Sequence, residues 1–338
     1  MNFQQLRIIR ETVRCNFNLT EVATRLYTTQ SGVSKHIKDL EDELGIELFE
    51  RKGKRLLGMP APGRELAKIV DRMLLDAQNI KNLAEQYSQQ DQGQLTVATT
   101  HTQARYVLPA IVAKFRQQYP KVKLHLHQGS PQEIAQLLLQ GEADIGIATE
   151  TLGSAEGLTT FPFHSWHHAV IVPAGHALEK QAAKLHKSGK QLTLNAIAAY
   201  PIITYHDGFT GRAALEKTFQ AAGLAPEIVL SALDADVIKS YVELGLGIGI
   251  VASMAFNAER DSTLRLLDCT HLFPANLTRI AVREGQLQRH FADHFIKLCI
   301  GWRRQPTMIG SHTPVATTAA MRPWGVARRI RNATIQPH

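Results

Sequence analysis

The chain has 338 residues, of which 44% are hydrophobic and 20% are charged. This composition is typical of globular proteins and excludes collagen-like, disordered and disulfide-scaffold proteins, while the length is sufficient for two or three domains. The formal net charge is +8, but six arginines lie after residue 301, so the first 301 residues carry 32 basic against 30 acidic residues. Overall basicity is therefore weak evidence for nucleic-acid binding.

Residues 1–58 are predicted to form short helices followed by a basic hairpin. In the third helix an apolar stripe recurs at helical spacing, formed by Val33, Ile37, Leu40 and Leu44. The basic turn RKGKR follows, around Gly53. Two helices joined by a tight turn, with a hairpin behind them, predict a winged helix-turn-helix that binds DNA. The alternative is a three-helix subdomain whose polar face contacts only water.

The residues predicted to contact DNA lie on the outer face of the third helix and in the hairpin. They are Thr29, Gln30, Ser31, Ser34, Lys35, Lys38, Arg51 and Lys54. Glutamine can form two hydrogen bonds with adenine, and serine can bond to several base edges. Lysine, arginine and the free N–H groups at a helix start suit phosphates, so the basic turn is predicted to contact the DNA backbone.

Residues 59–92 are predicted to form one long linker helix that joins two subunits. Apolar residues recur at alternating steps of four and three, at Leu66, Val70, Met73, Ala77, Ile80, Ala84 and Tyr87. A period of 3.5 residues is typical of a coiled-coil seam. The alternative is a surface helix that packs on its own domain.

Strands and helices alternate over residues 93–301, which predicts an α/β region with mostly parallel sheets. Such sheets bind ligands at the carboxyl ends of their strands. Hydroxyl side chains occur at three predicted strand ends, in the runs Thr100–Gln103, Thr149 and Thr204–Gly211. Helix starts at two of these ends favour anions, so the hydroxyls are predicted to meet around one small anion. Ordinary helix capping by threonine is the alternative.

Several further patterns point away from catalysis, metals and membranes. His125 and His127 share one strand face without a third ligand, so no metal or cofactor is predicted. No Walker loop, GxSxG, HExxH or GxGxxG occurs, and the chain is not predicted to be an enzyme.

The charged N-terminus is unlike a signal peptide and the cysteines lack a CxxC pair, which predicts a cytoplasmic protein. Residues 302–338 contain no acid and are predicted to be a disordered basic tail.

The stretch LTEVATRLYTTQSGVSKHIKDLEDELGIELFERKGKRL resembles the DNA-binding domain of LysR-type transcriptional regulators. The motifs ATTHTQARY, HQGSPQEIA, ITYHDGFTGR and DADVIKSYVELGLGIGIVASM are similar to the CysB and Cbl subgroup, which regulates sulfur assimilation. NFQQLRIIRE, GKRLLGM and SWHHAVIVP favour Cbl within that subgroup. The resemblance extends over about residues 1–300 and keeps the family's order of motifs.

This resemblance implies an effector domain of two lobes, like periplasmic binding proteins, over residues 93–301. Lobe I is expected at 93–163 and 268–301, and lobe II at 164–267. The effector-binding residues carried over by motif are Thr100, Thr102, Gln103, Thr149, Trp166 and Thr204. Sulfate, adenosine phosphosulfate and acetylserine are the implied effectors. Two departures from the family are an expected loop expansion at 178–191 and the tail after residue 306.

Three classes of function are therefore compared. A DNA-binding regulator is favoured, with promoter DNA, RNA polymerase and a second copy of the chain, as homodimer or homotetramer, as partners. A small-molecule binding protein without a DNA function agrees with the two lobes but leaves the helix-turn-helix unexplained. An enzyme of sulfur metabolism lacks a nucleophile–base pair or a metal motif.

Overall fold

The computed structural model describes residues 1–53, 55–87, 92–209 and 211–302. Lys54 of the predicted wing and all of the predicted tail beyond Trp302 lie outside these residues. The N-terminal region contains α1 (Phe3–Arg14), α2 (Leu19–Arg25), α3 (Gln30–Leu44), β1 (Glu50–Lys52), β2 (Arg55–Gly58) and α4 (Ala61–Tyr87).

The first three helices and the β1–β2 hairpin form a head, which is the predicted winged helix-turn-helix. Helix α3 begins where the Thr29 side chain accepts a hydrogen bond from the Gly32 N–H at 3.1 Å. Three residues of the predicted stripe, Val33, Ile37 and Leu40, are fully buried in the head core, whereas Leu44, at the end of the helix, is 38% exposed. The polar residues between these positions therefore remain on the outside of the head.

Glu41 fixes the hairpin against α3. Its carboxylate accepts hydrogen bonds from the N–H groups of Leu48 at 2.9 Å and Phe49 at 3.2 Å. The same carboxylate pairs with Arg51 at 2.7 Å. The wing is thus held by one largely buried acid, which satisfies backbone groups that would otherwise lie unpaired.

Helix α4 is a single helix of 27 residues whose first half packs into the head. Val70 and Leu74 are buried there, with exposed fractions of 1% and 6%. A Cβ atom at Gly63 would collide with the Leu48 carbonyl oxygen, so only glycine permits this close approach of helix and wing.

The α/β region continues as two five-stranded sheets flanked by helices. Its elements in chain order are β3 (Gln92–Thr99), α5 (His101–Tyr106), α6 (Leu108–Gln118), β4 (Lys121–Gln128), α7 (Pro131–Gln140), β5 (Ile145–Ala148), β6 (Leu158–Trp166), β7 (His168–Pro173), α8 (Ala177–Lys187), α9 (Leu194–Ala198), β8 (Ile202–Tyr205), α10 (Arg212–Ala221), β9 (Ile228–Ala232), α11 (Ala235–Glu243), β10 (Ile248–Ala252), β11 (Leu264–Leu267), β12 (Asn276–Arg283) and α12 (His290–Trp302).

Each sheet is the centre of one lobe. Lobe I has the strand order β4-β3-β5-β12-β6, and lobe II has the order β11-β7-β10-β8-β9. Strands β3, β4 and β5 are parallel, as are β8, β9 and β10, whereas β12 and β7 run antiparallel to their neighbours. The sheets are therefore mixed, because the strands that return between the lobes enter each sheet from the opposite end.

Three local expectations differ from the structure. Strand β6 stays in lobe I up to Trp166, so the first crossing between the lobes lies at His167 and not at residue 163. Residues 268–273 belong to lobe II, because Cys269 and Phe273 are buried in its core. The expected loop expansion at 178–191 is largely helix α8, whose Leu178 packs into the same core.

The three cysteines are buried and free, as expected for a protein without disulfides. Burial raises the pKa of the Cys269 thiol to about 12, and it also raises the pKa of Cys299. These thiols remain protonated and unreactive at neutral pH. None of the helices in the described residues is both long enough and apolar enough to cross a membrane.

Candidate DNA-binding and effector-binding sites

The outer face of α3 presents the polar side chains that the sequence predicts for DNA contact. Gln30, Ser31, Lys35 and Lys38 are exposed, and Ser34 is half-buried. Thr29 has a structural function as well, since its hydroxyl caps the helix and lies 3.2 Å from the Ser31 hydroxyl. The face is therefore polar and exposed on a capped helix, which suits insertion into a major groove.

Of the two cations predicted in the wing, the structure describes only Arg51, and it adds two others nearby. Arg51 is engaged by Glu41, which reduces its freedom to reach a phosphate. Lys52 and Arg55 are exposed on either side of the turn. Tyr27, which the sequence analysis did not select, is 98% exposed in the turn before α3 and has a φ of 51°. An exposed aromatic residue with a left-handed backbone conformation is unusual. The sequence alone could not single out Tyr27, because the exposure of a side chain cannot be read from it.

The predicted seam of α4 is divided between two environments. Val70 is buried in the head of its own subunit and Leu66 packs beside it, so these two residues are not available to a second subunit. Further along, Met73, Ile80 and Tyr87 are exposed, with Ile80 at 70% and Tyr87 at 82%. Ala77 is half-buried and Ala84 is exposed.

Two apolar residues that the predicted seam omitted join this exposed surface. Ile69 is 44% exposed and Leu83 is 45% exposed. We define the α4 stripe as the exposed residues Ile69, Met73, Ile80, Leu83 and Tyr87. Apolar side chains at this helical spacing match the surface that one helix presents to another.

The predicted effector site lies where the strands of both lobes end. Strands β3 and β5 pair in parallel, with Thr99 opposite Ile147, so Thr100 and Thr149 follow at neighbouring strand ends. Both residues are buried, at 4% and 5% exposure. Neither hydroxyl caps the helical turn that follows it.

Gln103 and Trp166 are fixed by a buried network. The Gln103 amide donates to the Thr278 hydroxyl at 3.1 Å, and the Trp166 indole N–H donates to the same hydroxyl at 3.2 Å. The Gln103 carbonyl accepts from His164 Nε2 at 2.8 Å, which assigns the proton to that nitrogen. Burial lowers the pKa of His164 to about 4. Gln103 therefore holds the site together, and both ends of its amide are already bonded.

The residues from lobe II close the site. The Thr204 hydroxyl donates to the Ile250 carbonyl at 2.9 Å, so only its lone pairs remain open. The Tyr205 oxygen accepts from the Ala252 N–H at 3.1 Å. Thr102 lies beside this phenol, but its buried hydroxyl has no well-placed hydrogen-bond partner. Burial raises the pKa of Tyr205, so the phenol stays neutral.

Gly211 brings the start of α10 against the crossing strands. A Cβ atom there would lie 2.7 Å from the His168 ring and 2.8 Å from the Asn276 side chain, and its φ is 72°. Both the conformation and the space require glycine. By contrast, α5 has only six residues, so the helix start after Thr100 supplies a smaller dipole than the sequence suggested.

A polar contact at the rim joins the two lobes, and we call it the Asp236 clasp. From lobe I, the Tyr106 hydroxyl donates to Asp236 at 2.7 Å and the Arg105 guanidinium lies 3.2 Å from the same carboxylate. Within lobe II, Lys239 pairs with Asp236 and Asp261 at 3.1 Å each. Burial tends to raise the pKa of Asp236, but the bonds from Tyr106 and Lys239 outweigh it and lower the pKa.

His101 lies close to Asp234 and Asp236, and the three offer ligand atoms within 4.8 Å of one another. Asp236 is already bonded to Arg105, Tyr106 and Lys239, and the positive charges of Arg105 and Lys239 oppose a further cation. The group is therefore part of the clasp and is a poor metal site.

Comparison with known proteins agrees with this arrangement. The sequence matches the bacterial regulatory helix-turn-helix protein, lysR family, over residues 3–60 and the LysR substrate binding domain over residues 88–303. It is 55% identical over 298 residues to the transcriptional regulator SsuR of Burkholderia cenocepacia, covering 88% of this chain and 94% of that protein. It is 52% identical over 299 residues to the regulator Cbl of Escherichia coli K12, covering 88% and 92%.

Solved structures give the same result. The crystal structure of the cofactor-binding domain of the Cbl regulator is 48% identical, with a TM-score of 0.58, over 62% of this chain and 89% of that one. A full-length single-site variant of OxyR from Pseudomonas aeruginosa is 20% identical, with a TM-score of 0.64, over 90% and 98%, and shows the fold alone. The relatives are transcriptional regulators, which agrees with the prediction that the chain is not an enzyme. With its head, linker helix and two-lobed domain, the chain belongs to the LysR family of bacterial transcriptional regulators.

Proposed function

We propose that this regulator controls genes of sulfur assimilation, or of sulfonate use during sulfate starvation, in response to a small sulfur-related effector between its lobes. Sulfate, adenosine phosphosulfate and acetylserine are the candidates. Similarity to SsuR, Cbl and CysB supports the sulfur-related function. The observation that carries the effector proposal is the set of hydroxyls at these strand ends: Thr100 and Thr149 do not cap the turns that follow them, and the buried Thr102 hydroxyl has no hydrogen-bond partner.

A buried hydroxyl without a partner, such as that of Thr102, is costly, because it has lost water without gaining another hydrogen bond. An oxyanion or a carbonyl-rich ligand would accept hydrogen bonds from Thr100 and Thr149, while Thr204 offers lone pairs to a donor on the ligand. The side chains at these strand ends are neutral. Neutral donors hold an anion less strongly than a charge-assisted clamp, which suits a reversible sensor.

The DNA-binding function is proposed to reside in α3 and the wing, as described above. Regulators with this head bind paired half-sites, so two heads have to be joined at a fixed spacing. The α4 stripe is exposed and apolar, and a second copy of α4 would cover it. We therefore propose a homodimer or homotetramer on promoter DNA, with RNA polymerase as the further partner.

The effector proposal predicts the effect of Thr100→Val, which preserves shape and removes one hydroxyl. Effector binding should weaken by ~1–3 kcal/mol, because a ligand atom loses its donor. DNA binding without effector should be unchanged, since residue 100 lies outside the head. Calorimetric titration of the full chain with sulfate, adenosine phosphosulfate and acetylserine measures the first effect, and DNA titrations measure the second.

Thr159→Val is the matched control, because Thr159 lies opposite Val282 at the end of β6 remote from Trp166. It should bind each effector like the wild type. Equal binding by wild type and Thr100→Val, or no binding of any of the three compounds by wild type, contradicts the proposed effector site.

A further inference from the structure

A second cavity, separate from the strand ends, lies where the head, the linker helix and lobe I meet. Its volume is about 530 Å³, and we call it the junction cavity. Arg7 and Arg10 of α1 form one wall, and Lys81 of α4 forms another. Lobe I contributes Arg283, the last residue of β12, and Gln286, three residues further along the chain.

The cavity has an excess of positive charge, because five basic side chains line it against the carboxylates of Glu142 and Asp144. Arg289 is neutralised by Asp144, at 3.0 Å. Arg7, Lys81 and Arg283, however, form no hydrogen bond or ion pair with any side chain in the described ranges, although all three line the cavity. Burial lowers the pKa of Arg283, and nearby Asp71 only partly compensates. A half-buried guanidinium without a partner favours an anion.

Hydrogen-bond acceptors without donors accompany these cations. The Gln286 Oε1 atom is buried and has no hydrogen-bond partner. The Oδ1 atom of Asp71 is also buried without a hydrogen-bond partner. The charge of this carboxylate raises the pKa of Arg10 and Arg283. A ligand that paired with both the cations and the free acceptors would therefore carry a negative group and an N–H or O–H donor.

We propose that the junction cavity is a second ligand site, which binds a small carboxylate that also carries a hydrogen-bond donor, as an amino-acid derivative does. The carboxylate binds between Arg283 and Arg7, and the donor bonds to Gln286. The strand-end site described above presents hydroxyls and no unpaired arginine. The two sites therefore differ in chemistry as well as in place.

A ligand in the junction cavity acts directly on the position of the head, because the walls of the cavity come from separate parts of the chain. The head and lobe I are joined beside the cavity by the Arg14 side chain, which donates to the Gln140 carbonyl. Asn79 of α4 accepts from the Leu287 N–H and donates to the Gly285 carbonyl, each at 2.8 Å. A ligand that binds only this docked arrangement increases its population.

The experiment is calorimetric titration of the full chain with N-acetylserine, which has a carboxylate and two donors. Arg283→Gln and Arg7→Gln should each weaken one binding event about tenfold, since a charge-assisted hydrogen bond is lost. Arg7 is exposed, so its variant also guards against a folding defect at Arg283. Arg260→Gln, at an exposed turn of lobe II, is the matched control and should bind like the wild type.

Further comparisons separate this site from the one between the lobes. Thr100→Val should leave the Arg283-dependent event unchanged, whether or not the strand-end site binds the same compound. Acetate, which lacks a donor, should bind at least tenfold more weakly than N-acetylserine. In hydrogen exchange, N-acetylserine should slow exchange of the Leu287 amide in the wild type and not in Arg283→Gln.

Three results overturn the proposal. The first is a wild type that does not bind N-acetylserine. The second is binding that is the same in wild type, Arg283→Gln and Arg7→Gln. The third is acetate binding as tightly as N-acetylserine.

Discussion

Threonine has three different functions in this molecule, and its hydrogen-bond partners decide among them. Thr29 caps a helix, and Thr204 is bonded to a neighbouring strand. Thr100 and Thr149 are largely buried but do not cap the turns that follow them, and the nearby Thr102 hydroxyl is buried without a partner. Residue type alone therefore identifies a candidate, and the local bonding determines whether the side chain is open to a ligand.

Gln30 and Ser34 are expected to read base edges. Changing either to alanine should cost ~1–3 kcal/mol of specific affinity and relax the sequence preference. Lys38→Ala, on the same face, should weaken binding to all sequences similarly and lower the salt slope by ~1. Footprinting and titrations at several salt concentrations distinguish the two effects. Unchanged sequence preference in both the Gln30 and the Ser34 variants would contradict base reading.

His164 should make stability depend on pH. Because burial lowers its pKa to about 4, the folded protein keeps this imidazole neutral while the unfolded chain takes up a proton below about 6.5. Stability is therefore complete above the unfolded pKa and is lost as pH falls toward 4, by about 3 kcal/mol in total.

The measurement is denaturant unfolding of wild type and His164→Gln between these pH values. Glutamine also donates to Gln103 but does not titrate, so the difference between the two proteins isolates His164. A difference in unfolding free energy that stays constant across the range would show that His164 does not contribute.

At the scale of secondary-structure elements, α4 contacts different parts of the molecule along its length. Its first half completes the core of the head through Val70 and Leu74, while the α4 stripe faces outward. The middle of the helix is bonded to lobe I through Asn79 and Asn82. One continuous helix thus connects the DNA-binding head, the effector domain and the surface proposed for a second subunit.

The α4 stripe predicts the effect of Ile80→Asp combined with Leu83→Asp. Both residues are exposed in the single chain, so each subunit should still fold, whereas a dimer would bury two unpaired charges at a cost of several kcal/mol. Sedimentation should show monomers, and the paired half-site footprint should be lost.

Val70→Asp is the informative contrast, because it places a charge in the core of the head. It should lower thermal stability strongly, and the double variant should not. A wild type that is monomeric at micromolar concentration would contradict the proposed interface.

At the scale of the whole molecule, the effector domain is closed. The threonines at the strand ends are 5% exposed or less, so little of their surface is open to solvent in this arrangement of the lobes. The Asp236 clasp joins the lobes at the rim, between Arg105 and Tyr106 on one side and Lys239 on the other. Hinge closure of this kind shifts a population only if the ligand binds one state more tightly.

Asp236→Asn should therefore speed effector dissociation, because the amide cannot pair with Arg105 and Lys239. Stopped-flow measurement should show a severalfold faster rate, with little change in DNA affinity in the absence of effector. Asp293→Asn is the control, since Asp293 pairs with Lys297 within α12, away from the clasp. Equal dissociation rates in wild type and Asp236→Asn would show that the clasp does not hold the lobes.

The sequence by itself determined the features that depend on local spacing. The buried stripe of α3, the continuous α4 helix and the polar strand ends follow from periodicity and capping over a few residues. Motif resemblance added the two lobes and the family, both of which the comparisons confirm.

Only the tertiary structure decided which of these residues are hydrogen-bonded or packed, and which residues they contact. Gln103 is bonded to Thr278, which is 175 residues away, and to His164, which is 61 residues away. Val70 fits a dimer seam by spacing but packs into its own head, while Ile69 and Leu83 are left exposed. The junction cavity is formed by residues from α1, α4 and the end of β12. Periodicity specifies the face on which a side chain lies, but the packing of distant segments determines what covers that face.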